Sequence, residues 1–112
     1  MGVSMGTNGV SVYEHGAGYM PATAVSDVPL PGYAAISINY TNRTPALHTQ
    51  GSLASAGIIS ARDPVRAPDQ IGNGAYGAFD GDIAEILLYD RSLNEAERVG
   101  LCLLYTSDAA DE

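Results

Sequence analysis

The string Asp80-Gly81-Asp82-Ile83-Ala84-Glu85 places three carboxyl groups within six residues. Two carboxyl groups held about 5–5.5 Å apart can serve as acid and nucleophile in a retaining glycosidic cleavage. On a strand, Asp80 and Asp82 share a face, and Glu85 joins them only across a bulge. Gly81 argues instead for a turn ahead of the strand, with Glu85 as a structural carboxylate paired to Arg91. A calcium ion takes six to eight oxygens, and Asp63, Asp69, Asn73, Asp80 and Asp82 could offer some of them. No Asp-x-Asp-x-Asp-Gly loop gathers these residues, so solvated loop acids are the preferred reading and no cofactor is assigned.

Other reactive groups are sparse. His15 and His48 are far apart in sequence, and no third histidine completes a transition-metal set. No Gly-x-Ser-x-Gly nucleophile elbow occurs. Asn39-Tyr40-Thr41 and Asn42-Arg43-Thr44 match the glycosylation sequon and are read as ordinary strand and turn residues. Tyrosines remain, since an exposed phenol ring offers apolar area beside a hydroxyl and can stack on a sugar. Tyr13, Tyr19 and Tyr76 fall on polar faces or loops and are the ligand candidates. Tyr40 and Tyr89 are expected in the core.

The elements that would position these groups are mostly strands. Asn8–His15 alternates, with Val10 and Val12 on one face and Ser11 and Tyr13 on the other. Asp27–Gly32 carries Pro29 and Pro31 and reads as extended loop. Tyr33–Thr41 is the cleanest alternation: Ala34, Ile36, Ile38 and Tyr40 form a dry face, and Ala35, Ser37, Asn39 and Thr41 a wet one. Thr41–Pro45 is a turn. Ala46–Gly57 reads as two short strands around Gln50-Gly51, where glycine supplies the positive φ of a tight hairpin. A weak stretch follows, with one short strand expected near Gln70–Gly72. Ile83–Tyr89 reads as a last strand covered on both faces. Ser92 and Glu95 have capping-box spacing, which predicts a short helix from near Leu93 to about Val99, with Leu93 and Ala96 toward the sheet.

Composition narrows the class. The chain has 112 residues, which is one domain's length. It is 46% hydrophobic and 16% charged, outside the range of disordered chains. Thirteen glycines and six prolines between short apolar runs favour an all-β protein over a helical bundle. The net charge is −8 and all five basic residues are arginines, which speaks against nucleic acid and anionic membrane as partners. No apolar run is long enough to span a bilayer, so no membrane insertion is expected. No signal-peptide pattern stands at Met1. The single cysteine, Cys102, allows no internal disulfide.

Phe79-Asp-Gly81-Asp-Ile83-Ala-Glu85, an apolar pair, and Tyr89-x-Arg91-x-Leu93 resemble the C-terminal signature of laminin-G-like, concanavalin-A-like jelly rolls. Glu97 fits as well. Pro31–Asn42, Ala46–Gly57 and Ile71–Gly74 resemble other elements of that family more loosely, so the resemblance covers about residues 8–100. Ala84 stands where many members have Asp, Tyr33 where Trp is common, and His48 and Gln50 replace the usual hairpin residues. The resemblance implies an antiparallel β-sandwich of jelly-roll type with a short C-terminal helix, incomplete at its N-terminus. It also implies strands upstream of the Val10 strand. Only seven residues precede Asn8, so an open edge and a partly bare inner face are expected. Asp80 to Glu85 further resembles the carboxylate motif of jelly-roll glucanases, although that motif begins with Glu and its cleft is rich in Trp. This chain has no Trp.

Cys102–Glu112, CLLYTSDAADE, resembles the translation of a sequencing adapter from transposase-based library preparation. The expectation is a partial laminin-G-like domain over 1–101 and a non-native tail over 102–112. Setting Asp108, Asp111 and Glu112 aside would change the net charge from −8 to −5.

The expected function is non-catalytic recognition of a glycan or an extracellular protein, beside other domains of the same polypeptide. The resemblance places it in a larger exported bacterial protein, outside the cell or on its surface, with calcium as the one cofactor it admits. A structural or adhesive spacer is the alternative, and a glycoside hydrolase fragment is a further one.

Overall fold

Among the described residues, the computed structural model has two three-stranded antiparallel sheets and one helix. It describes all residues except 7–8, 15–21, 31, 75–76 and 112, and only the backbone of 105–111. The first sheet has the order β1 (Gly2–Gly6), β2 (Gly9–Tyr13), β3 (Ala24–Ser26). The second has β4 (Ile36–Thr41), β5 (Thr44–Thr49), β6 (Ser52–Ala56). Helix α1 runs Glu95–Asp111. Among the described residues, no helix is long and apolar enough to cross a membrane.

The alternation in β2 does what its pattern predicts. Val10 and Val12 are buried, while Ser11 and Tyr13 lie on the outer side. Val10, Val12 and Ala24 meet Leu47 of the second sheet, and Met5, Ile36, Ile38 and Tyr40 pack around them. This small core joins the facing sides of the two sheets. β1 forms from residues to which sequence reading gave no element, and its register on β2 pairs Val3 with Val12 and Met5 with Val10.

Both hairpins of the second sheet turn through two residues with positive φ. Asn42 and Arg43 stand at 49° and 67°, Gln50 and Gly51 at 52° and 81°. These are the mirror-image turns whose twist matches that of paired strands. Pro45 lies opposite Tyr40 in β5. That position makes no ladder bond toward β4, so the missing N–H leaves this pairing intact.

The chain beyond β6 stitches the sheets together. Gly57 N–H donates to the Pro45 carbonyl at 2.8 Å, Ile58 N–H to Thr23 at 2.8 Å and Ser60 N–H to Arg43 at 2.7 Å. A Cβ on Gly57 would stand 2.4 Å from the Thr23 oxygen, so only glycine fits this seam. Beside it lies Glu14, 1% exposed. Its carboxylate accepts from the Tyr40 hydroxyl at 3.0 Å and from the Ser60 hydroxyl, linking segments that follow β2 and β6 to β4. Burial pushes the Tyr40 phenol up to about 12, with the hydrogen bond to Glu14 adding to the rise and one to Thr23 opposing it.

Four expectations are corrected. Ile83–Tyr89 forms no ladder, and neither does Gln70–Gly72. The apolar pattern of 83–89 is that of a strand, but no described strand lies beside it to complete a sheet. The helix cap is Asn94 with Glu97, two residues beyond Ser92 and Glu95. Asn94 Oδ1 accepts from Glu97 N–H at 2.9 Å, and Asn94 N–H donates to the Glu97 carboxylate at 3.0 Å. The helix therefore starts later than expected, leaves Ala96 exposed, and runs past Val99 through the cysteine-containing tail. The expected wet face of β4 holds a buried residue, Asn39. Its side chain accepts the Leu93 N–H at 3.2 Å and donates to Ser37 at 2.8 Å, because the approach to α1 lies across that face.

Candidate functional site

The open side of the molecule is a cleft of about 2050 Å³. β1 and β4, each at one edge of its sheet, border it, and residues 65–74 and 77–93 line its far side as an arch. The arch is held at its start where the Met1 ammonium, next to β1, donates to the Arg66 carbonyl at 2.7 Å. At its end Thr41 and Ser92 share a hydroxyl hydrogen bond at 3.2 Å, and Leu93, which is buried, holds to Asn39. Between these anchors the apolar side chains are bare. Ile83, Ile86, Leu87 and Tyr89 are all at least 40% exposed, and Leu88 is 71% exposed. Tyr89 is therefore not a core residue.

The family-signature positions all lie along this arch or at its foot. The Phe79 ring is half-buried and folds over Gly81, where a Cβ would come within 2.9 Å of it. Arg91 meets Glu97, not Glu85. Its two terminal nitrogens donate to the two carboxylate oxygens at 2.8 and 2.5 Å. That fork, with the Asn94 amide, holds the Glu97 carboxyl down to about 2.

Asp80, Asp82 and Glu85 are exposed on the irregular arch. No described strand sets two of them on a shared face. Among the described residues, no three or more His, Cys, Asp or Glu side chains gather where they could hold a metal ion.

Of the three tyrosines singled out from sequence, Tyr19 and Tyr76 lie outside the described residues. Tyr13 stands on the outer side of the first sheet. Its ring covers Gly2, where a Cβ would come within 2.4 Å of it, and its hydroxyl approaches Gly74. Tyr13 also borders the cleft. Two tyrosines that sequence reading did not choose join it there, Tyr33 at 74% exposed and Tyr89. The place of Tyr33 in sequence, after the proline-rich stretch Asp27–Gly32, was a signal, since β4 starts only at Ile36. Tyr89 gave no such signal, because its alternating neighbours read as buried.

His48 lies on the β5 face toward α1 and is buried. Burial, and then the Arg98 charge, hold its pKa below the ordinary imidazole range. Arg98 donates to the Leu93 carbonyl at 2.9 Å, which fixes the helix start against this face.

Comparison with protein-family models, with curated proteins and with solved structures returns no match.

Proposed function

We propose that the chain is a non-catalytic recognition module of the jelly-roll sandwich type, from a larger exported bacterial protein. Its cleft binds a glycan or a polypeptide segment. The observation that carries this reading is that Tyr13, Tyr33 and Tyr89 all border one open cleft. Aromatic rings with accessible faces and hydroxyls suit both kinds of ligand. The two antiparallel sheets with facing apolar sides support the sandwich part of the reading. The signature along Phe79 to Leu93 supports the jelly-roll and export parts by resemblance.

Titration calorimetry against a panel of plant and bacterial oligosaccharides and extended peptides tests the reading. Saturable binding without turnover is expected, weakened about tenfold or more in Tyr33→Ala, as for loss of an aromatic anchor. Release of reducing ends from any glycan would overturn it.

A further inference from the structure

We infer that the cleft accepts an added β-strand from a polypeptide of different sequence, with alternating apolar side chains and basic ends. This inference rests on the recognition reading and names its partner. Three observations carry it.

The first is the free edge of β4. Thr41 and Thr44 flank the two-residue turn, so residues 37, 39 and 41 exchange ladder bonds with β5. The Gln50 N–H bond to the Ala35 carbonyl continues that alternation. The N–H and C=O groups of Ile36, Ile38 and Tyr40 therefore point the other way, toward the cleft. No described strand pairs with them. Such an edge is a template for another extended chain.

The second is the arch. Its apolar residues, Ile83, Ala84 and Ile86 to Tyr89, have the continuous pattern of a strand covered on both faces, yet they are exposed. A strand seated on β4 would lie beneath them and remove them from water. Burying these side chains is the favourable term that their own chain leaves unused.

The third is charge, which separates one occupant from another. Residues 80–90 carry Asp80, Asp82, Glu85 and Asp90 and no basic residue. A second copy of this chain would bring the same four carboxylates to the cleft, and like charges across an interface are disfavoured. A strand with lysine or arginine at its ends meets them with opposite sign.

The test uses the full 112-residue chain and a fluorescein-labelled nonapeptide that alternates valine and threonine between terminal lysines. Saturable anisotropy is expected, with slower hydrogen exchange at the amides of Ile36, Ile38 and Tyr40. The same peptide with glutamate ends should bind about tenfold more weakly at low salt. A version N-methylated at alternate residues should not bind. Leu88→Ser should weaken the lysine peptide while leaving the urea midpoint in place, which separates lost contact from lost fold.

Failure of the lysine peptide to saturate would overturn the inference, as would equal binding of the glutamate or N-methylated peptide. Sedimentation showing self-association that protects the same β4 amides would overturn it in favour of a second copy. If the peptides fail but a glycan binds in a Tyr33-dependent way, the recognition reading survives without this inference. If neither binds, both fall.

Discussion

The molecule has a stitched side and an open side, built from segments of similar apolar character. On the stitched side the chain after β6 donates backbone bonds both to Pro45 of β5 and to Thr23 just before β3, and Leu47 is 0% exposed. On the open side the arch carries larger apolar residues than β3 does, yet most remain in water. Hydrophobicity alone did not decide burial. What decided it was whether a neighbouring strand could satisfy the backbone at the same place.

The comparison sharpens first at Leu47. Replacing it by alanine should cost about 2–5 kcal/mol, the range for a fully buried leucine. A urea midpoint close to that of the parent chain would mean that the small core is not where stability resides. Glu14→Ala should come next, at about 1.5–3 kcal/mol, because it strands the Tyr40 and Ser60 hydroxyls around a buried void. Chemical denaturation of the double variant with Tyr40→Phe should show less than additive loss, and full additivity would argue against the shared hydrogen bond.

At the helix start the effect is smaller. Asn94→Ala should cost about 1 kcal/mol, as for removal of an N-cap side chain. Glu97 adds a pH dependence of known sign. Its carboxyl lies near 2 in the folded chain against an ordinary 4.5. The unfolded chain therefore takes up the proton first, so the contribution is full above 4.5 and is lost as pH falls toward 2. Far-UV circular dichroism should show helix loss across that window, and Arg91→Ala should move its onset to higher pH. The smallest expected effect is on the open side. Leu88→Ser should shift stability by no more than about 0.5 kcal/mol. A shift as large as that at Leu47 would mean that the arch is packed in solution and would erase the distinction between the two sides.

Local pattern was enough to read β2, the β4–β5–β6 hairpins and the loop around Pro29. Each has a two-residue period or a turn residue that acts over a few positions. β3 escaped because it is only three residues long, and β1 because glycines stand at both its ends, Gly2 and Gly6. Ile83–Tyr89 misled for the opposite reason. Its pattern is strong, but a strand requires a partner, and partners are not encoded in the segment itself. The cap at Asn94 was missed by two residues because Ser92 and Glu95 have the same spacing as Asn94 and Glu97. Of the candidate site, Tyr13 was legible as an outward residue on an alternating strand. Tyr33 and Tyr89 became neighbours of one cleft only through the long-range path of the arch.

The anchoring of the arch at both ends has a consequence for association. A free peptide with the sequence of Ile83–Tyr89 would have to be brought to β4 and held there, losing translational freedom and loop entropy. Here the Met1–Arg66 bond and the Asn39–Leu93 bond have already closed that loop. Closure costs change only logarithmically with length, so most of that entropy is lost when the chain folds. The apolar cover thus stands at an effective concentration in the millimolar range, independent of how dilute the protein is.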